Sequence, residues 1–131
     1  MNTTTSVKQD CQILVADDCP QNLDLLHCIL RNWSYQSCSA TSAQHAISKV
    51  ELESFKLVII DKLLPDMSGY RLAHRIKQID RELPILCLNW GASPSTDLCT
   101  CHEHTFERPQ NFKEVVKRAV KSNVHYDIIH L

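Results

Sequence analysis

Two short apolar runs each end in acid: Ile13-Leu14-Val15-Ala16 leads into Asp17-Asp18, and Leu57-Val58-Ile59-Ile60 leads into Asp61. Four consecutive β-prone apolar residues bounded by polar ones read as a strand buried on both faces, as in a parallel sheet. If the two strands are neighbours, three carboxylates gather at one carboxyl edge, where open α/β sheets bind ligands. Two carboxylates ~5 Å apart repel by about 3 kcal/mol at an effective dielectric near 20. A whole domain is stable by only roughly 5–15 kcal/mol. The cluster therefore needs a cation, or must keep protons on its acids. The pattern points to a pocket for a hard divalent ion.

Around these runs, strand-like and helix-like segments alternate. After a polar leader (residues 1–10), Pro20 suits the first turn of a helix capped by Asp18 or Cys19, with Leu23, Leu26, Leu30 and Trp33 at helical spacing. Residues 35–40 make a weak, polar strand that fits an edge. Ala43, Ala46, Ile47 and Val50 mark a second helix capped by Thr41 or Ser42, and Leu72, Ala73 and Ile76 a third. Pro84 opens the strand Ile85-Leu86-Cys87-Leu88, Thr105-Phe106 is a faint fifth strand, and Asn111 to Glu114 resembles a capping box before a last helix. Such alternation implies right-handed crossovers and helices on both faces. The expected fold is an α/β, flavodoxin-like, doubly wound sheet of five parallel strands in order 2-1-3-4-5, with about five helices. The domain is expected over residues 11–122, with 123–131 a tail or the start of a linker.

Composition narrows the function. The 131 residues carry 14 basic and 15 acidic side chains, so net charge makes no case for nucleic acid. No apolar run approaches the ~20 residues of a membrane helix, and the amino-terminal residues lack a signal core. A cytoplasmic or cytosol-facing chain is the reading. Seven cysteines form no CxxC pair, so in a reducing compartment Cys11, Cys28, Cys38 and Cys87 are expected to be small buried hydrophobes. With only Gly69 and Gly91, neither a G-x-G-x-x-G loop nor a Walker loop exists. The run Cys99-Thr100-Cys101-His102-Glu103-His104 packs its ligand types too closely for a structural zinc site. The remaining histidines are scattered over expected exposed positions.

Residues 11–122 resemble the receiver domain of two-component signalling, shared by response regulators and hybrid histidine kinases. "ILVADDCPQN" has the paired acids; "LVIIDKLLPDMSGYRL" has an acid, a proline four on and a glycine eight on. The resemblance implies Asp61 as phospho-acceptor, its carboxylate acting as nucleophile toward phosphorus. It implies Mg²⁺ held by Asp17, Asp18, Asp61 and the backbone carbonyl of Leu63, with waters completing an octahedron. The phosphoryl donor would be a phosphohistidine on a histidine kinase or histidine phosphotransfer domain, and the chain would not be an enzyme in the ordinary sense. Neither nucleic acid nor membrane is expected as a partner of this domain, while the apolar tail leaves self-association open.

The later half departs from the family. Asn89 stands where a serine or threonine is usual, Arg108-Pro109 where a lysine precedes proline, and Thr105 at the switch aromatic. Trp90 occupies a usually small position. Asn89 can donate through its amide and Arg108 keeps the positive charge, so both remain phosphoryl-binding candidates. The alternative is a degenerate receiver that acts as a phosphorylation-independent docking module.

Overall fold

In a computed structural model of the chain, the structure describes residues 11–61, 64–88, 112–121 and 128–130. The elements are β1 (Ile13–Ala16), α1 (Pro20–Asn32), β2 (Ser37–Ala40), α2 (Ala43–Leu52), β3 (Leu57–Asp61), α3 (Gly69–Ile79), β4 (Ile85–Leu88), α4 (Phe112–Lys121) and β5 (Ile128–His130). All strands run parallel in the order β2-β1-β3-β4-β5. This is the doubly wound flavodoxin-like arrangement expected from the alternation.

Strand pleating explains why β1, β3 and β4 are apolar throughout. Leu14, Ala16, Val58, Ile60, Ile85 and Cys87 feed a core shared with Ala46 and Ile47 of α2 and Leu72 and Ile76 of α3. Ile13, Val15, Leu57, Ile59, Leu86 and Leu88 feed a second core with Leu23, Leu26 and Leu30 of α1 and Phe112, Val116 and Ala119 of α4. Successive side chains point to opposite faces, and each face is covered by helices, so no polar residue fits between them. β2 lies at the sheet edge, and its polar Ser-Cys-Ser-Ala sequence is only partly buried.

The helix ends follow from local chemistry. Cys19 is the N-cap of α1 with no side-chain cap bond, and Pro20 fills the first helical position, where its missing N–H costs nothing. Ser42 and Ser68 cap α2 and α3, accepting from the N–H groups of His45 and Arg71. At the end of α1, Ser34 N–H donates to the Arg31 carbonyl at 2.9 Å and Tyr35 N–H to that of Leu30 at 2.9 Å. These two bonds make a Schellman closure, with Ser34 in the left-handed region at φ 72°. The Trp33 ring then packs on Phe112 at a centroid separation of 5.8 Å, joining α1 to α4.

Three expectations change. The sheet position beyond β4 is taken by Ile128–His130, from the stretch read as a tail after residue 122, while Thr105-Phe106 lies outside the described residues. Cys11 and Cys38 are not reduced thiols but a disulfide, their Cα atoms 6.0 Å apart. Cys19 is also disulfide-bonded, whereas Cys87 is buried in β4 as expected and Cys28 is exposed. Finally, His27 is half-buried rather than exposed, with Nδ1 2.6 Å from Ser37 Oγ. The Cys99–His104 run lies outside the described residues.

Candidate functional site

Register builds the site. Ala16 pairs with Ile60 across β1 and β3, so Asp17 and Asp61 follow one step later at the same end. Asp17 extends the ladder on its other side, its N–H donating to the Ala40 carbonyl at 3.0 Å. Asp18 then turns outward and is exposed, while Asp61 is half-buried at the end of β3. Carboxylate oxygens of Asp17, Asp18 and Asp61 all lie within 4.8 Å of one another.

Asp17 is the constrained member, with no exposed surface. Its Oδ1 accepts from the Cys19 N–H at 3.0 Å and its Oδ2 from the Asn22 amide at 3.1 Å. Loss of solvation nevertheless pushes its carboxyl up to about 6, and the charge of Asp18 adds to the rise. The bonds from Cys19 and Asn22, and a hydrogen bond with Asp61, act in the opposite direction but do not prevail. Near neutral pH the folded chain thus carries three crowded acids, one of them close to taking up a proton.

The donor set fits a hard divalent cation: every ligand atom is a carboxylate oxygen, and small hard ions select oxygen. Beside the acids, Asn22 Oδ1 is buried without a hydrogen-bond partner among the described residues. A cation that keeps part of its water shell brings donors to such an acceptor. Asn22 has no role in the sequence reading. Sequence spacing alone gives Asn22 no mark, and only the first turn of α1 folds its amide back onto Asp17.

Three of the expected site residues come together: Asp17, Asp18 and Asp61. Leu63, Asn89 and Arg108 lie outside the described residues, as does Thr105. The family model of the response regulator receiver domain matches residues 13–104. The chain belongs to that family.

As a receiver, it is similar to the sensor histidine kinase RcsC of Salmonella typhimurium, at 35% identity over 83 residues, or 63% of this chain. It is also similar to the transcriptional regulatory protein ZraR of Escherichia coli, at 31% over 84 residues, or 64% of this chain. The receiver spans only 9% of RcsC and 19% of ZraR in length. Among solved structures it resembles the response regulator TrrA from Thermotoga maritima, a complex with Mg²⁺ and beryllofluoride. That match has a TM-score of 0.66 and 26% identity, covering 82% of this chain and 97% of TrrA's. The receiver domain of the sensor histidine kinase PA1611 from Pseudomonas aeruginosa shares the fold, with TM-score 0.67 and 20% identity over 87% of this chain and all of its own. That structure holds a magnesium ion in its active-site cleft. The chain is therefore a receiver domain of two-component signalling, homologous to those of hybrid kinases. No helix among the described residues is long and apolar enough to cross a membrane.

Proposed function

We propose that the chain accepts a phosphoryl group on Asp61 from a phosphohistidine of a histidine kinase or histidine phosphotransfer domain, with Mg²⁺ as cofactor. The observation that carries this reading is the packing of three carboxylates within 4.8 Å at the carboxyl edge of β1 and β3. Such crowding is costly, and a bound cation or phosphoryl chemistry gives it a use. Asp61 is the half-buried member at the open end of a strand, suited to act as the nucleophile.

In the transfer, an oxygen of Asp61 forms a bond to phosphorus while the phosphorus–nitrogen bond of the donor breaks. The electron pair of that bond stays on the imidazole nitrogen. Asp17 and Asp18, with Asp61 and the Leu63 carbonyl, would hold Mg²⁺, which supplies charge neutralisation of the phosphoryl oxygens when bound. Asn22 and the Cys19 N–H fix the orientation of the Asp17 carboxylate. Asn89, through its amide, and Arg108, through its guanidinium, are proposed to contact the phosphoryl group. The chemistry is uptake and release on the chain's own side chain, as befits a signalling acceptor rather than a turnover enzyme.

Incubation with acetyl phosphate and Mg²⁺, read by intact mass, tests the proposal. Wild type should gain one phosphoryl group and Asp61→Asn none. No gain on wild type, or an undiminished gain on the variant, rejects it.

A further inference from the structure

We propose that Asp66 is a positioning residue that ties the loop following Asp61 to the first turn of α2, so that the acid edge and this helix shift together. A helix begins with backbone N–H groups that have no partner inside it. At α2 the residue that caps the helix, Ser42, accepts the first intrahelical bond through its carbonyl, from Ala46 N–H at 3.1 Å, and serves one of the unpartnered groups with its Oγ, which accepts from His45 N–H at 3.1 Å. The N–H groups of Ala43 and Gln44 are served from elsewhere in the chain. Asp66 Oδ1 accepts from Ala43 N–H at 2.8 Å, and Asp66 Oδ2 from Gln44 N–H at 3.0 Å.

Using both oxygens on two successive N–H groups fixes the direction of the carboxylate as well as its distance. The positive end of the helix dipole favours the same charge. These two bonds hold the Asp66 carboxyl below its usual range, although the residue is exposed. On either side of Asp66 the loop is also anchored: Leu64 and Met67 pack against the core shared with α2 and α3, and Ser68 caps α3. Only five positions separate Asp61 from Asp66. A displacement that reaches Asp66 therefore has to move α2 or break the two bonds.

The magnesium arm of the test rests on the proposed function; the exchange arm does not. Asp66→Ala and Ser42→Ala both remove caps from α2, but only the first cuts the link to the loop. Hydrogen exchange read by mass spectrometry should speed up at residues 64–68 and at the start of α2 in Asp66→Ala, and only at the start of α2 in Ser42→Ala. Calorimetric titration with Mg²⁺ should show affinity weakened about fivefold in Asp66→Ala, below the roughly 10–100-fold cost of losing a partner bonded directly to a ligand. Ser42→Ala should bind as wild type does. If loop exchange and Mg²⁺ affinity in Asp66→Ala match those of Ser42→Ala, the inference is wrong. If wild type takes up no Mg²⁺, the proposed function falls, and loop exchange alone decides the role of Asp66.

Discussion

At its amino end β1 is covalently held, with Cys11 bridged to Cys38 of the neighbouring edge strand; at its carboxyl end it presents Asp17 and Asp18 to a third carboxylate. One end adds stability and the other subtracts it. The strand between them, Ile13–Ala16, is almost wholly buried and gives nothing to chemistry. The contrast shows how a small receiver tolerates a repulsive site: the cost is concentrated in a few atoms at one edge, while the remaining contacts of the same strand are saturated. Strain located this way can be relieved by a ligand without disturbing the core.

Breaking the cross-linked end should have the largest effect. The bridge closes a chain segment with a sequence separation of 27, for which the chain-entropy model gives roughly 3–4 kcal/mol. Cys38→Ser should lower the urea midpoint accordingly, leaving the pH dependence set by Asp17 intact. Equal stability of the variant and wild type would show that the bridge does not form in solution.

The acid end should respond to pH almost as strongly. Well below the ordinary value of 3.8 the Asp17 carboxyl is protonated in both folded and unfolded chains, and the site costs nothing. As pH rises through about 6 the folded chain is forced to ionise it, so stability falls, by roughly 3 kcal/mol for a carboxyl raised from 3.8 to about 6. Urea titrations with chelator at pH 4.5 and 7 should show about 2 kcal/mol of this fall in wild type and a flatter profile in Asp17→Asn. Asp66 acts in the opposite sense: its lowered carboxyl contributes stability above the usual carboxylate range, lost as pH falls below it. The two windows are adjacent, so the variants separate them.

Magnesium should offset part of the acid cost. At a concentration ten times its dissociation constant, an ion that binds only the folded chain adds about 1.4 kcal/mol. The gain should shrink at pH 5, where protons compete for Asp17, and should fall in Asp61→Asn. A pH-independent gain would place the ion elsewhere.

How much of this was legible beforehand depends on sequence distance. The runs 13–16 and 57–60 read as buried parallel strands by composition, and the Ala16–Ile60 register then brings their following acids together. The cross-link was not legible, because pairing Cys11 with Cys38 requires the register of β2, a strand whose polar residues carry little signal. Ile128–His130 stands beside β4, where three residues after a polar stretch carry too short a pattern to mark a strand in advance. Asn22 and Asp66 escaped for a related reason. Each is an ordinary polar residue until the fold places its side chain against Asp17 or the start of α2.

The smallest effect tests whether the amino edge is as relaxed as its cross-link suggests. Where α1 turns into β2, Ser34 holds φ at 72° to complete the Schellman closure. A side chain in the left-handed region costs roughly 1–2 kcal/mol, a cost glycine avoids. Part of that advantage is lost to the greater freedom of glycine in the unfolded chain, so Ser34→Gly should stabilise by about 1 kcal/mol or less. Because the turn lies far along the chain from Asp17, the gain should be the same at pH 4.5 and 7, and additive with Asp17→Asn. A gain that changes with pH would mean that the two edges of the sheet are coupled, and that repulsion at the carboxyl end reaches back through β1 and β2 to this turn.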